Sequence, residues 1–311
     1  VLPGWHSRRF RRWRRRTIRH PLEGALAWAV YLVLRPLPVD WVSALGGAVG
    51  RLAGTLLRTA GRRAAANLAD PIGAGGDPRR TVRAYWDHVG RTIAEFAVID
   101  RLLAAGRVEL AGLANGTAHR DAGRPILFLS GHVGNWELAS AAAVRQGFPA
   151  QVIYRPPANR FLDRLMRRQR SKCRVGVLPK TAVGARTALR ALAGGRPLGL
   201  LIDEKTTHGG VPVPTLGRAL PADGAAVGQV ARMAVAAGAA IVPFRVERLL
   251  GAHFRLTLYP AIDPPRTGDR AADTAAIVAA ADAHLTAWVR ERPEQWLWLS
   301  QRLSGRGGGG V

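Results

Sequence analysis

An α/β fold, a sheet covered by helices, is what this sequence predicts, and three observations carry the prediction. Short apolar runs rich in Val, Ile and Leu alternate with longer stretches of helical period. That alternation continues from about residue 79 to residue 291, as parallel or mixed sheets require. A chain of 311 residues at 48% hydrophobic can bury a full core, and it reads as one catalytic domain with an appendage.

The elements follow in order. Residues 1–21 form a basic tail in which Arg8, Arg9, Arg11, Arg12, Arg14, Arg15, Arg16 and Arg19 interleave with Trp5, Phe10 and Trp13, a combination suited to an anionic membrane interface. Residues 22–60 read as a membrane-associated helical segment. It is largely apolar to residue 57, yet Glu23, Arg35, Asp40, Arg51 and two prolines interrupt it. The unbroken piece, 24–34, is too short to span a bilayer, so an interfacial or re-entrant helix pair is expected. The basic start is expected to keep the N-terminus cytoplasmic, and a secretory signal fits poorly because no small-residue cleavage site closes the apolar stretch. From residue 61 to 303 the domain proper is expected, with helices near 79–105, 136–146, 160–171, 182–193, 224–237 and 270–291. Strands are expected at 126–130, 151–154, 175–178, 198–202, 240–246 and 253–258. Residues 304–311, rich in glycine, read as a flexible tail, and no internal repeat is visible.

Most of the chemistry is concentrated between residues 126 and 138. Ile126 to Ser130 is a buried strand, Gly131 and Gly134 permit a tight turn, and Asn135 is suited to cap the helix that follows. His132 and Glu137 are five residues apart, which on one continuous helix would set them roughly 140° apart around the axis. Broken by the turn, the spacing instead allows Glu137 to accept a hydrogen bond from one ring nitrogen of His132 while the other removes a proton from a hydroxyl. Backbone N–H groups near Asn135 and Trp136 are candidates for holding an oxyanion.

Outside that segment, Arg155 at a strand end suits a substrate phosphate or carboxylate, or else a surface ion pair. Asp203 follows an apolar strand into a loop, where open α/β sheets place ligands; a turn cap is the plainer use of it. Arg170 and Arg245 are candidates to extend a phosphate-binding face. His208, His253 and Asp203 show no metal-ligand spacing, and no metal is expected. The single cysteine, Cys173, excludes an intramolecular disulfide and a cysteine metal site, while its basic neighbours would lower its pKa. A net charge of +25 implies an anionic partner: lipid headgroups, a phosphorylated glycolipid, an acidic carrier protein or nucleic acid. Nearly all the excess is Arg, which a GC-rich coding bias would also produce. No zinc-finger or RRM signature is present, and the aromatics sit mainly in apolar segments, so no specific nucleic-acid partner is expected.

The segment around His132 resembles the H-x4-[D/E] motif of the bacterial lipid A biosynthesis (late) acyltransferase family, within the lysophospholipid and glycerophosphate acyltransferase group. Val152 to Pro156, followed by Asn159, Leu162, Asp163 and Arg170, looks like its second block, Leu198 to Asp203 its third and Ala240 to Phe244 its fourth. Arg62 to Leu68 resembles an arginine-rich helix of the family, and Arg292 to Trp298 its closing segment. Three stretches depart from the pattern: Glu204 stands where Gln is usual, and both Leu216 to Ala222 and Ser300 to Arg302 are altered.

The resemblance implies a glycerophosphate acyltransferase-like fold, a helix-covered mixed sheet with an N-terminal membrane-associated helical segment. It implies an enzyme of the 2.3.1 type at the cytoplasmic face of the bacterial inner membrane, with no cofactor. The acyl group would pass from acyl-acyl carrier protein or acyl-CoA to a hydroxyl of a lipid A precursor or related glycolipid, in lipopolysaccharide or glycolipid biosynthesis. In that reading His132 and Glu137 form the dyad, and Arg155, Arg170, Asp203 and Asn135 bind substrate. A phosphatidylinositol mannoside, a lysophospholipid or an ornithine lipid is the alternative acceptor. A basic lipid- or nucleic-acid-binding protein is the non-enzymatic alternative.

Overall fold

The computed structural model of the protein describes residues 10–57, 77–203, 214–215, 218–219, 226–263 and 267–298. The chain is helical from residue 10, passes through a π-helical turn at Arg15–Arg19, and enters α1 (His20–Leu34). Pro21, which has no N–H to place in an α-helical ladder, stands just past the π-helical turn. Pro36 and Pro38 break the chain before α2 (Val39–Leu56), giving the helix pair that the interrupted apolar run predicted. None of the described helices is long and apolar enough to cross a membrane.

α2 lies along α3 (Pro78–Glu95) at backbone contact. A Cβ on Gly50 would stand 2.1 Å from the Trp86 carbonyl oxygen, and one on Gly90 2.1 Å from that of Gly46, so this seam admits only glycine. With its small residues turned inward, α2 presents Trp41, Leu45, Val49, Leu52 and Leu56 outward. α1 does likewise with Leu22, Leu26, Val30 and Val33, while its other face packs on the helix at 160–172.

After α3 come a 3-10 turn (Phe96–Val98), α4 (Ile99–Ala104), β1 (Val108–Ala111) and α5 (Ala114–Asp121). The core units are β2 (Ile126–Ser130), α6 (Glu137–Arg145), β3 (Gln151–Tyr154), α7 (Arg160–Lys172), β4 (Gly176–Pro179), α8 (Ala182–Ala193) and β5 (Leu198–Leu201). A small ribbon, β6 (Pro214–Thr215) and β7 (Arg218–Ala219), precedes α9 (Ala226–Ala237), β8 (Ala240–Arg248), β9 (Phe254–Leu258) and α10 (Arg270–Glu291). All six predicted strands are present, within two residues at each bound. β1 and α5 went unpredicted: β1 is a short edge strand with both central residues exposed, and α5 is polar with little apolar period.

The main sheet runs β1-β9-β8-β2-β5-β3-β4. It is mixed because β8 and β9 pair antiparallel while its other neighbours pair parallel. β2 is central and buried along its whole length, which explains a run of five residues without polar alternation before the turn. One face packs Phe128, Phe148, Val242 and Phe254, and the other Leu127, Leu129, Ile241 and Leu192. A third cluster, with Tyr85, Trp86, Val133, Trp288, Trp296 and Trp298, sits against the turn after β2. Residues 1–9, Arg62 to Leu68, Glu204, His208, Leu216, Gly217, Leu220 to Ala222, Ser300 to Arg302 and the tail at 304–311 lie outside the described residues.

Candidate active site

The turn after β2 is bound on three sides. Val133 N–H returns to the Gly131 carbonyl at 2.8 Å, Gly134 N–H reaches that of Gln295 at 2.7 Å, and Leu297 N–H that of His132 at 3.0 Å. Gly134 has φ +60°, and a Cβ there would lie 1.6 Å from the Val246 carbonyl oxygen, so only glycine fits.

His132 meets Asp203 rather than Glu137. Its Nδ1 is 2.8 Å from Asp203 Oδ1, its backbone N–H donates to Oδ2 at 2.8 Å, and Trp296 Nε1–H donates to the same oxygen at 2.7 Å. The expectation that Glu137 takes the imidazole N–H is corrected here, and so is the assignment of Asp203 to substrate. The Asp203 side chain is fully buried beneath the imidazole, out of reach of a ligand. Burial alone would raise its pKa; the neighbouring His132, its two N–H groups and the Trp296 N–H outweigh that and hold the carboxyl below the ordinary range. An ionised carboxylate only accepts, so the proton sits on His132 Nδ1 and Nε2 is the basic nitrogen. Trp136 packs edge-on against the ring at 4.9 Å.

Glu137 opens α6 and turns toward α7, where Arg170 takes its carboxylate by Nη2 at 2.6 Å and Nε at 3.3 Å. Arg170 therefore is not a bare phosphate ligand, as the sequence suggested; it stacks over Tyr154 with its charge matched by Glu137. Asn135 does not cap α6. Its Nδ2 donates to Glu95 at 2.8 Å in the interior, and Trp136 occupies the cap position without a side-chain bond. Buried as it is, Asn135 cannot contact substrate through its side chain. Arg155 is exposed on the cavity wall, consistent in position with an anion ligand. Arg245 is buried between Glu291 and Glu247 and lies off any such face. His253 lies against Arg107, and the Cys173 thiol is pushed up to about 11 by burial, against the lowering expected from its basic neighbours.

The His132 imidazole and the Glu137–Arg170 pair open onto one cavity of about 960 Å³. His132, Trp136, Glu137, Arg155 and Arg170 form its polar part, and Phe128, Ala143, Phe148, Phe244, Leu256 and Leu258 an apolar arm under α6. A base held at the edge of a greasy cavity with cations on its wall suits a long-chain ester or thioester carrying an anionic group. The profile of the bacterial lipid A biosynthesis acyltransferases matches residues 12–304. The chain belongs to that family. This acyltransferase is thus a transferase of the 2.3.1 class. Comparison with proteins of curated function returns no match.

The closing segment of the acyltransferase, noticed in the sequence only as a resembling block, supplies Gln295, Trp296 and Leu297 to the turn. Its signal was two tryptophans in a chain region without helical period; nothing in the sequence paired Trp296 with Asp203.

Proposed function

We propose that the acyltransferase moves a fatty acyl group from acyl-acyl carrier protein or acyl-CoA to a hydroxyl of a lipid A precursor or related glycolipid. The observation that carries this reading is the His132 imidazole, fixed on Nδ1 by buried Asp203, at the edge of an apolar cavity of about 960 Å³. Nε2 takes the acceptor hydroxyl proton as that oxygen attacks the thioester carbonyl, and Asp203 balances the imidazolium that forms. The tetrahedral intermediate collapses to the ester and releases the thiol, with the proton returned from Nε2. No acyl-enzyme is needed. The Leu138 and Ala139 N–H groups at the opening of α6 already donate to the Asn135 and Trp136 carbonyls, so donors for the oxyanion would come from the backbone just before them, at Asn135 to Glu137.

Glu137 keeps a place in the site through Arg170: the pair presents a partly neutralised guanidinium to the anionic part of a substrate, beside Arg155. The apolar stripes of α1 and α2, with exposed Arg11, Arg12, Arg14, Arg15 and Arg16, suit an anionic bilayer surface, and hence the cytoplasmic face of the inner membrane.

The test is transfer of radiolabelled acyl groups from both donors to lipid A precursors, a phosphatidylinositol mannoside, a lysophospholipid and an ornithine lipid. Wild-type transfer that disappears in folded His132→Ala supports the base and names the acceptor. Transfer that persists in His132→Ala sinks it.

A further inference from the structure

Behind the turn that carries His132 lies a second polar cluster, wholly buried and away from the cavity wall. Glu95, at the end of α3, receives both arms of the Arg248 guanidinium from the end of β8, with Nη1 to Oε1 at 2.5 Å and Nη2 to Oε2 at 2.8 Å. The same carboxylate accepts from Ser43 Oγ of α2 at 2.6 Å and from Asn135 Nδ2 at 2.8 Å. Arg248 Nε donates to His88 Nδ1 at 3.2 Å, so the His88 proton is on Nε2, which donates to the Gly134 carbonyl at 3.2 Å. Two consecutive residues of the turn therefore hang on this cluster.

Arg248 also holds the turn from its other side. Its backbone N–H and carbonyl grip the Gln295 side-chain amide at 2.8 and 2.9 Å, and the Gln295 carbonyl receives the Gly134 N–H. A buried ion pair is weak evidence for stability, because desolvating two charges offsets their attraction, and an apolar filling would serve the fold as well. What a bidentate fork adds is direction: two parallel bonds fix an angle as well as a distance. Here the fork reaches the turn through two intermediaries: the Glu95 carboxylate, which also accepts from Asn135, and the His88 imidazole, which donates to the Gly134 carbonyl.

We propose that His88, Glu95 and Arg248 are positioning residues for acyl transfer. They fix the backbone at Gly134 and Asn135, and so set the direction of the His132 imidazole and of the first turn of α6. The inference rests on His132 as the base. It places the effect in kcat, since the cluster touches neither donor nor acceptor, and displacement of a reacting group by an ångström lowers the rate about 10²-fold.

The experiment uses the full chain in detergent, with palmitoyl-CoA or palmitoyl-acyl carrier protein and the acceptor on which the wild type is most active. Asn135→Ala and His88→Ala are compared with His88→Gln, whose amide N–H can replace the bond to the Gly134 carbonyl, and with His132→Ala. Asn135→Ala and His88→Ala are expected to lower kcat about 10²-fold with KM within about twofold, and His88→Gln to recover most of the loss. Melting temperature separates folded from unfolded variants, and Asn135→Ala decides if His88→Ala does not fold. Wild-type kcat in folded Asn135→Ala, a loss confined to KM, or His88→Gln no better than His88→Ala overturns the proposal. If that happens beside an inactive His132→Ala, the base stands alone; undiminished transfer by folded His132→Ala removes the base itself.

Discussion

Two carboxylates lie close to the His132 turn, and their surroundings differ in kind. Among the described residues, Asp203 accepts from the His132 and Trp296 N–H groups and from no guanidinium, and its side chain is entirely buried. Glu137 is committed to Arg170 on the cavity wall. A charge already balanced by arginine has little left to stabilise an imidazolium, whereas a charge held only by dipoles keeps most of it. Proximity in sequence to His132 is therefore a poor guide to which acid serves it.

The comparison can be broken in descending order of effect. His132→Ala is expected to reduce kcat about 10⁴-fold, read as initial rate of transfer. Asp203→Asn, which leaves the shape but loses the charge and the tautomer preference, is expected to cost about 10²- to 10⁴-fold in kcat. Glu137→Gln, which removes the counter-charge from Arg170, should instead lower KM for an anionic substrate, by about tenfold or less, with kcat nearly kept. If Glu137→Gln proves the more damaging in kcat, the roles assigned to the two acids are reversed.

Acid stability offers a further test. His88 is held neutral by burial, and then by Arg248 and Arg91, with its pKa lowered to about 3 from an ordinary 6.5. As pH falls below 6.5 the unfolded chain binds a proton there that the folded chain refuses until about 3, so stability drops across that window. Chemical denaturation of His88→Gln between those limits should show a shallower decline than the wild type. Asp203 acts lower on the scale: its contribution is present above the ordinary 3.8 and is lost as pH falls through its depressed folded value. An equal slope in His88→Gln and wild type would mean that other groups govern acid unfolding.

Much of this was legible in the sequence. The strand at 126–130, the glycine turn and His132 were readable because a fully buried central strand is a continuous apolar run, and a positive φ demands glycine. The helix pair at the N-terminus was readable from charges and prolines breaking an apolar stretch. What was not legible are pairings across distance. Asp203 is 71 residues from His132, and Arg248 is 153 from Glu95. Local periodicity carries no information on which buried polar groups meet. Asn135 misled for the same reason: an excellent cap residue locally, it was drawn inward by a carboxylate 40 residues earlier.

The glycine seam between α2 and α3 has a mechanical consequence. Where Gly46 and Gly50 meet Gly90, backbone rests on backbone and leaves no side-chain rotamers to yield, which stiffens the two helices into one plate. The outer surface of that plate is the row Trp41, Leu45, Val49, Leu52 and Leu56, and its inner surface carries His88 and Glu95 against the turn. Whatever plane the outer row settles on, the two stacked helices stand between it and the turn that carries the His132 imidazole.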